Sequence, residues 1–150
     1  MASFACTRPV NPPGVEPVLS EDQVWRGLEQ KARNPILFVA AITSCEVVKD
    51  EGNKVTRLVS INGGEKLREE IESYPNAVIY FDFADKPNRV LNLLSHGPTG
   101  ELLLTYSFAG GIPGSDPTVK RSVAEKNAMV GGIIDHTLDV IRDLVKDGKL

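Results

Sequence analysis

The stretch Val55-Thr-Arg-Leu-Val-Ser-Ile-Asn-Gly-Gly-Glu-Lys-Leu-Arg-Glu-Glu-Ile71 alternates in polarity on both sides of Asn62-Gly63-Gly64. A period of two marks strands, and a glycine-rich break between two such runs marks a hairpin. With a three-residue loop, opposed residues keep a constant number sum. Ile61 then faces Glu65, Val59 faces Leu67, Arg57 faces Glu69 and Val55 faces Ile71. The apolar members share one face, and Arg57 and Glu69 are set directly across from each other on it. Side by side, a guanidinium and a carboxylate satisfy one another and still offer donors to a ligand oxygen.

Turn chemistry extends this hairpin in both directions, at Asp50-Glu-Gly-Asn53, Tyr74-Pro-Asn76, Ala84-Asp-Lys-Pro-Asn88 and Gly97-Pro-Thr-Gly100. The result is an antiparallel meander of six strands between Ser44 and Gly111. A turn centred on Pro75 sets Ile71 opposite Ile79 and Glu69 opposite Phe81, so Ile79, Phe81 and Phe83 join the apolar face. A loop at 84 to 88 adds Leu91 and Leu93. A four-residue loop at Gly97 to Gly100 brings in Leu102, Leu104, Tyr106 and Phe108. A five-residue loop there would turn Glu101, Thr105 and Ser107 inward and is rejected on polarity. The segment Phe4 to Val10 adds a seventh strand.

Helices flank the meander. Ser20-Glu-Asp-Gln23 is a capping box, and Val24, Leu28 and Ala32 follow at four-residue spacing with Trp25 beside them, up to Asn34-Pro35. Asn34 and Pro35 predict a second short helix with Phe38, Val39 and Ile42 on its apolar face. A long helix is predicted from Pro117 to Val145, capped by Asp116. Val119, Val123, Val130, Ile133, Ile134, Leu138, Ile141, Leu144 and Val145 form its stripe. Lys126 projects from the centre of that stripe, as an amine that could hold an acidic ligand or act as an acid or base. Gly131-Gly132 predicts a bend or a close neighbour.

A chain of 150 residues buries a core without metal or disulfides, so one domain over 1–150 is expected. Its 41% apolar and 25% charged residues are those of a globular protein. A net charge of -3 gives nucleic acid no general attraction. No apolar run approaches the ~20 residues of a membrane span, and Met1 to Pro9 does not read as a secretory signal. A cytoplasmic protein is therefore expected. Cys6 and Cys45 read as free thiols. No cofactor or metal is expected, since no ligand spacing recommends one. His96 and His136 lack partners at catalytic spacing, and Gly110-Gly-Ile-Pro-Gly114 lacks the lysine of a phosphate loop, so it reads as a lid or linker.

The order strand, helix, helix, six-stranded meander, long helix resembles the helix-grip fold of the START and birch-pollen-allergen (SRPBCC) superfamily, an α+β class. Val10-Asn-Pro-Pro13, Leu19-Ser-Glu-Asp-Gln-Val-Trp-Arg-Gly-Leu28, Lys31-Ala-Arg-Asn-Pro35 and Val55-Thr-Arg-Leu-Val59 are similar to the acetylaranotin-cluster-protein-L-like subgroup. The resemblance implies a cavity for lipophilic ligands beneath the long helix and, in some members, cyclisation or dehydration of polyketide-like substrates. From the residues themselves, the expectation is an apolar cavity of roughly 300 to 1,000 Å³. Arg57, Glu69, Phe81, Tyr106, Lys126, Val130 and Trp25 are its candidate ligand-binding residues. Two functions fit: binding of a lipophilic small molecule, which is preferred, and a cyclase, dehydratase or isomerase acting on one. A protein-interaction module is the third reading.

Overall fold

The structure is a computed structural model and describes residues 2–150. Seven antiparallel strands form one sheet: β1 (Phe4–Pro9), β2 (Ile42–Asp50), β3 (Lys54–Ile61), β4 (Lys66–Tyr74), β5 (Val78–Phe83), β6 (Arg89–His96) and β7 (Leu102–Ala109). Their order across the sheet is β1-β7-β6-β5-β4-β3-β2, a meander with the first strand added at the far edge. Two helices, α1 (Glu21–Arg33) and α2 (Val123–Lys146), complete the helix-grip fold.

The capping box forms as expected: Ser20 Oγ accepts from the Gln23 backbone, and Gln23 Oε1 accepts from the Ser20 backbone. After Asn34 the expected second short helix does not form. Phe38 N and Val39 N both donate to Pro35 O, closing a single turn, and Ile42 already belongs to β2. Too few residues separate Pro35 from the strand for helix propagation to repay nucleation. Phe38 is nevertheless buried.

The long helix starts later than Pro117, with Ser122 as cap in a second capping box with Glu125. Asp116 instead accepts from the backbone and hydroxyl of Thr118, a local turn that competes with helix. Val119 and Val123 therefore fall outside the buried stripe and are exposed, while Val130, Ile134, Leu138, Ile141 and Leu144 are buried. Arg142, a charged residue outside the apolar stripe, is buried too. Its guanidinium donates to the carbonyls of Val10 and Pro17 and to Asn11 Oδ1, clamping the segment between β1 and α1. Gly131 has the close neighbour its sequence context suggests, since the Arg8 guanidinium lies where a side chain would project.

The register of β3 on β4 is the expected one, with Val55 opposite Ile71, Arg57 opposite Glu69 and Val59 opposite Leu67. Asn62 and Gly63 take positive φ values of 51° and 72° in the connecting turn. The β4–β5 hairpin is two residues off: Glu69 faces Phe83 and Ile71 faces Phe81, because the turn centres on Asn76 at φ 59°. An even slip leaves the faces unchanged. The next two loops each differ by one residue. Asp82 pairs with Arg89, which turns Val90, Asn92 and Leu94 inward and Leu91 and Leu93 out. His96 then pairs with Leu102 across the five-residue loop that polarity had disfavoured. The two odd slips cancel, so Leu104, Tyr106 and Phe108 point inward as expected.

Helices α1 and α2 meet at Gly27, where an added methyl group would overlap the buried Ile141 side chain. Gly27→Ala is expected to cost about 1–3 kcal/mol through overpacking. Urea unfolding measures it, and an unchanged midpoint would show that the two helices part freely.

Candidate ligand-binding site

The concave face of the sheet, closed by the 39–42 segment, the 112–113 loop and Ile133 of α2, encloses about 150 Å³. That is smaller than the expected range, because Lys31, Phe81, Tyr106 and Phe108 project into the space. Val39, Val59, Ile61, Phe83 and Val90 make most of the remaining wall apolar. The Gly110–Gly114 segment is a wall rather than a free linker. Asn88 Nδ2 donates to the carbonyls of Gly110 and Gly111, and Ile112 and Pro113 line the cavity. A shallower groove of about 320 Å³ adjoins it, sharing Ile61 and Pro113 and continuing along Asn62, Glu65, Leu67 and Lys86.

The floor is polar. Arg57 Nη2 donates to both oxygens of Glu69 at 3.1 Å, with both residues 3% exposed. Arg57 Nη1 donates to the carbonyls of Lys31 and Ala32 at 3.2 and 2.8 Å. The guanidinium thus caps the last turn of α1, where the helix dipole and unpaired carbonyls attract a cation. This ties the sheet to the helix and fixes Lys31, the next polar group of the floor.

Lys31 is 6% exposed. Its Nζ donates to Asn92 Oδ1 and lies 4.7 Å from the ring centre of Tyr106 and 5.0 Å from that of Phe81. Burial, reinforced by the nearby Arg57 charge and partly offset by Glu69, pushes its pKa down from 10.5 to about 7. Tyr106 donates its hydroxyl to Thr137 Oγ1 at 2.8 Å, and burial drives its pKa upward. Among the described residues, two buried donors on this floor have no protein partner, Arg57 Nε and Asn92 Nδ2.

Of the residues expected in the site, Arg57, Glu69, Phe81 and Tyr106 line the cavity. The other three do not. Lys126 sits one turn inside α2 with its Nζ 5.3 Å from the Phe4 ring centre, at the outer edge of the sheet. Val130 is packed in the core, and Trp25 is buried with its Nε1 donating to Glu29. His136 Nε2 lies 3.0 Å from Leu37 O, and His96 is half exposed near Glu21. Lys31 and Asn92 were not anticipated. A signal for Lys31 was present, since it follows Val24 by seven residues and Leu28 by three, the spacing of the buried stripe. Among the described residues no group of acidic, histidine and cysteine side chains gathers as a metal site, and no helix is long and apolar enough to cross a membrane.

A curved sheet gripping a long helix over a pocket defines the chain as a helix-grip protein of the SRPBCC type. The family described as acetylaranotin biosynthesis cluster protein L matches residues 4–148, and the chain belongs to that family. No curated protein matches it. Among solved structures it is similar to XoxI from Bacillus cereus, at 16% identity and a TM-score of 0.55, covering 100% of this chain and 99% of that one. The Zhui aromatase/cyclase from Streptomyces sp. R1128 shares 16% identity with a TM-score of 0.55, covering 96% and 94%. The di-domain ARO/CYC StfQ from the steffimycin biosynthetic pathway shares 11% identity with a TM-score of 0.62; the match covers 97% of this chain and 51% of that one. At such identities the likeness concerns the fold.

Proposed function

We propose that the chain binds a lipophilic small molecule, of the polyketide-like or related secondary-metabolite kind, between the sheet and the C-terminal helix. The observation that carries this reading is an apolar cavity whose floor keeps two buried donors, on Arg57 and Asn92, without protein partners. Apolar walls with a few placed polar groups are the usual make-up of a small-molecule site. The family's name and the aromatase/cyclases that share the fold support the ligand class. A cavity near 150 Å³ holds about one six-membered ring. A larger ligand would seat one ring inside and lay the rest along the groove past Ile61 and Pro113. The free cysteines Cys6 and Cys45 support a reducing, cytosolic setting for this role.

A second reading, a cyclase, dehydratase or isomerase on such a compound, is favoured by one observation. The Lys31 amine has a pKa near 7, where a side chain can both give and take a proton.

Native mass spectrometry of the purified protein is expected to show a bound compound of low polarity that Ile133→Trp, which fills the cavity, displaces. Conversion of the compound by wild type but not by Lys31→Met would select the enzymatic reading. A protein that carries no compound and takes up no apolar ligand would overturn both.

A further inference from the structure

The charges on the cavity floor do not balance when Lys31 carries its proton. Among the described residues Glu69 is the one carboxylate lining the cavity, and both its oxygens accept from Arg57. No carboxylate pairs with Lys31 among the described residues; its partner is the neutral Asn92 oxygen, and its neighbours are two aromatic rings. The groups facing it can be named element by element. They are Arg57 on β3, Glu69 on β4, Phe81 on β5, Asn92 on β6 and Tyr106 on β7, with Cys45 of β2 farther out. From α2 comes Thr137, which holds the Tyr106 hydroxyl; the α2 residues Asp135 and His136 are exposed. Beside this amine stand the two unpartnered donors, Arg57 Nε and Asn92 Nδ2. The floor therefore presents two unpartnered donors beside an amine that has no counter-charge of its own.

Building on the ligand-binding reading, we propose that the ligand is an apolar acid, whose carboxylate, enolate or phenolate oxygen seats among Lys31, Arg57 and Asn92 as the missing counter-charge. An anion there accepts hydrogen bonds from Arg57 Nε and Asn92 Nδ2 and restores the charged form of Lys31. Its apolar body takes the space between Phe81, Phe83, Val90 and Phe108. Binding and protonation are then one linked event. Above pH 7, where the empty site holds a largely neutral amine, each anion bound draws about one proton from solution.

Benzoate and benzamide test this on the wild-type protein, since both are the size of the cavity and only one is charged. Titration calorimetry at pH 6, 7, 8 and 9 is expected to show benzoate weakening about tenfold per pH unit above 7. At pH 8, repeating the titration in buffers of different ionisation enthalpy should give an uptake close to one proton, while benzamide shows no pH dependence. Lys31→Met should remove the preference for benzoate and keep the binding of benzamide. Equal binding of the two at every pH, or benzoate binding without proton uptake, overturns the anionic ligand and leaves the pocket standing. Failure of both probes, and of benzene, overturns the pocket itself.

Discussion

Replacing Glu69 by leucine should destabilise the protein by about 3–5 kcal/mol, the usual cost of leaving one half of a buried ion pair alone. Both members are 3% exposed, so water cannot repay the loss, and Arg57 would keep its charge facing Phe81 at 5.4 Å. The pair is less valuable than this figure suggests, because forming it also cost the desolvation of two ions. Arg57→Met combined with Glu69→Leu should therefore recover part of the loss, even though it strips the Lys31 and Ala32 carbonyls of their cap. Urea unfolding of the two variants decides the matter. A single variant within about 1 kcal/mol of wild type would mean that the floor is wet.

Lys31→Met should make the protein more stable at pH 7 and flatten its response to alkali. The folded protein holds Lys31 with a pKa of about 7 against 10.5 for a free side chain. Between those values the unfolded chain binds a proton that the folded one lacks, so wild-type stability rises with pH by up to about 1.4 kcal/mol per unit. Below pH 7 both states carry the proton, the slope vanishes, and the full cost of the buried ammonium remains. Methionine keeps the apolar stem, removes that cost and leaves Asn92 Oδ1 unpartnered, a loss of about 1–3 kcal/mol that offsets part of the gain. Urea midpoints from pH 6 to 9 supply the comparison. Parallel curves for the two proteins would show that Lys31 titrates as if in water.

The β3–β4 hairpin was legible because two independent features agree there: strict alternation on both strands and a turn whose positive φ angles fall on Asn62 and Gly63. Arg57 and Glu69 could be placed because they lie opposite each other across it. Strand β6 offered no such agreement. Val90, Leu91, Leu93 and Leu94 are apolar on both faces, so polarity could not fix which face of β6 points inward, and Asn92 was hidden among them. The position of Lys126 was hard to read for a related reason. Pro117 and Asp116 look like a helix start, which set Lys126 well inside α2 at the centre of its apolar face, whereas the capping box at Ser122 leaves it in the first turn. Lys31 near the end of α1 reads as an ordinary partner for the helix dipole, and only its stripe spacing argues otherwise.

The placement of β1 beside β7 bears on how the chain reaches this shape. Thr7 and Thr105 share a hydrogen bond across 98 residues of sequence, while every other strand pairs with its immediate successor. A ribosome delivering the chain in order can let the meander zip up hairpin by hairpin, but β1 must wait until β7 emerges. The entropy of closing so long a loop falls due before that pairing returns anything. Docking of β1, and with it the packing of α2 against the sheet edge, is then the late event of folding. Substitutions at Cys6 or Leu104 should accordingly speed unfolding more than they slow refolding.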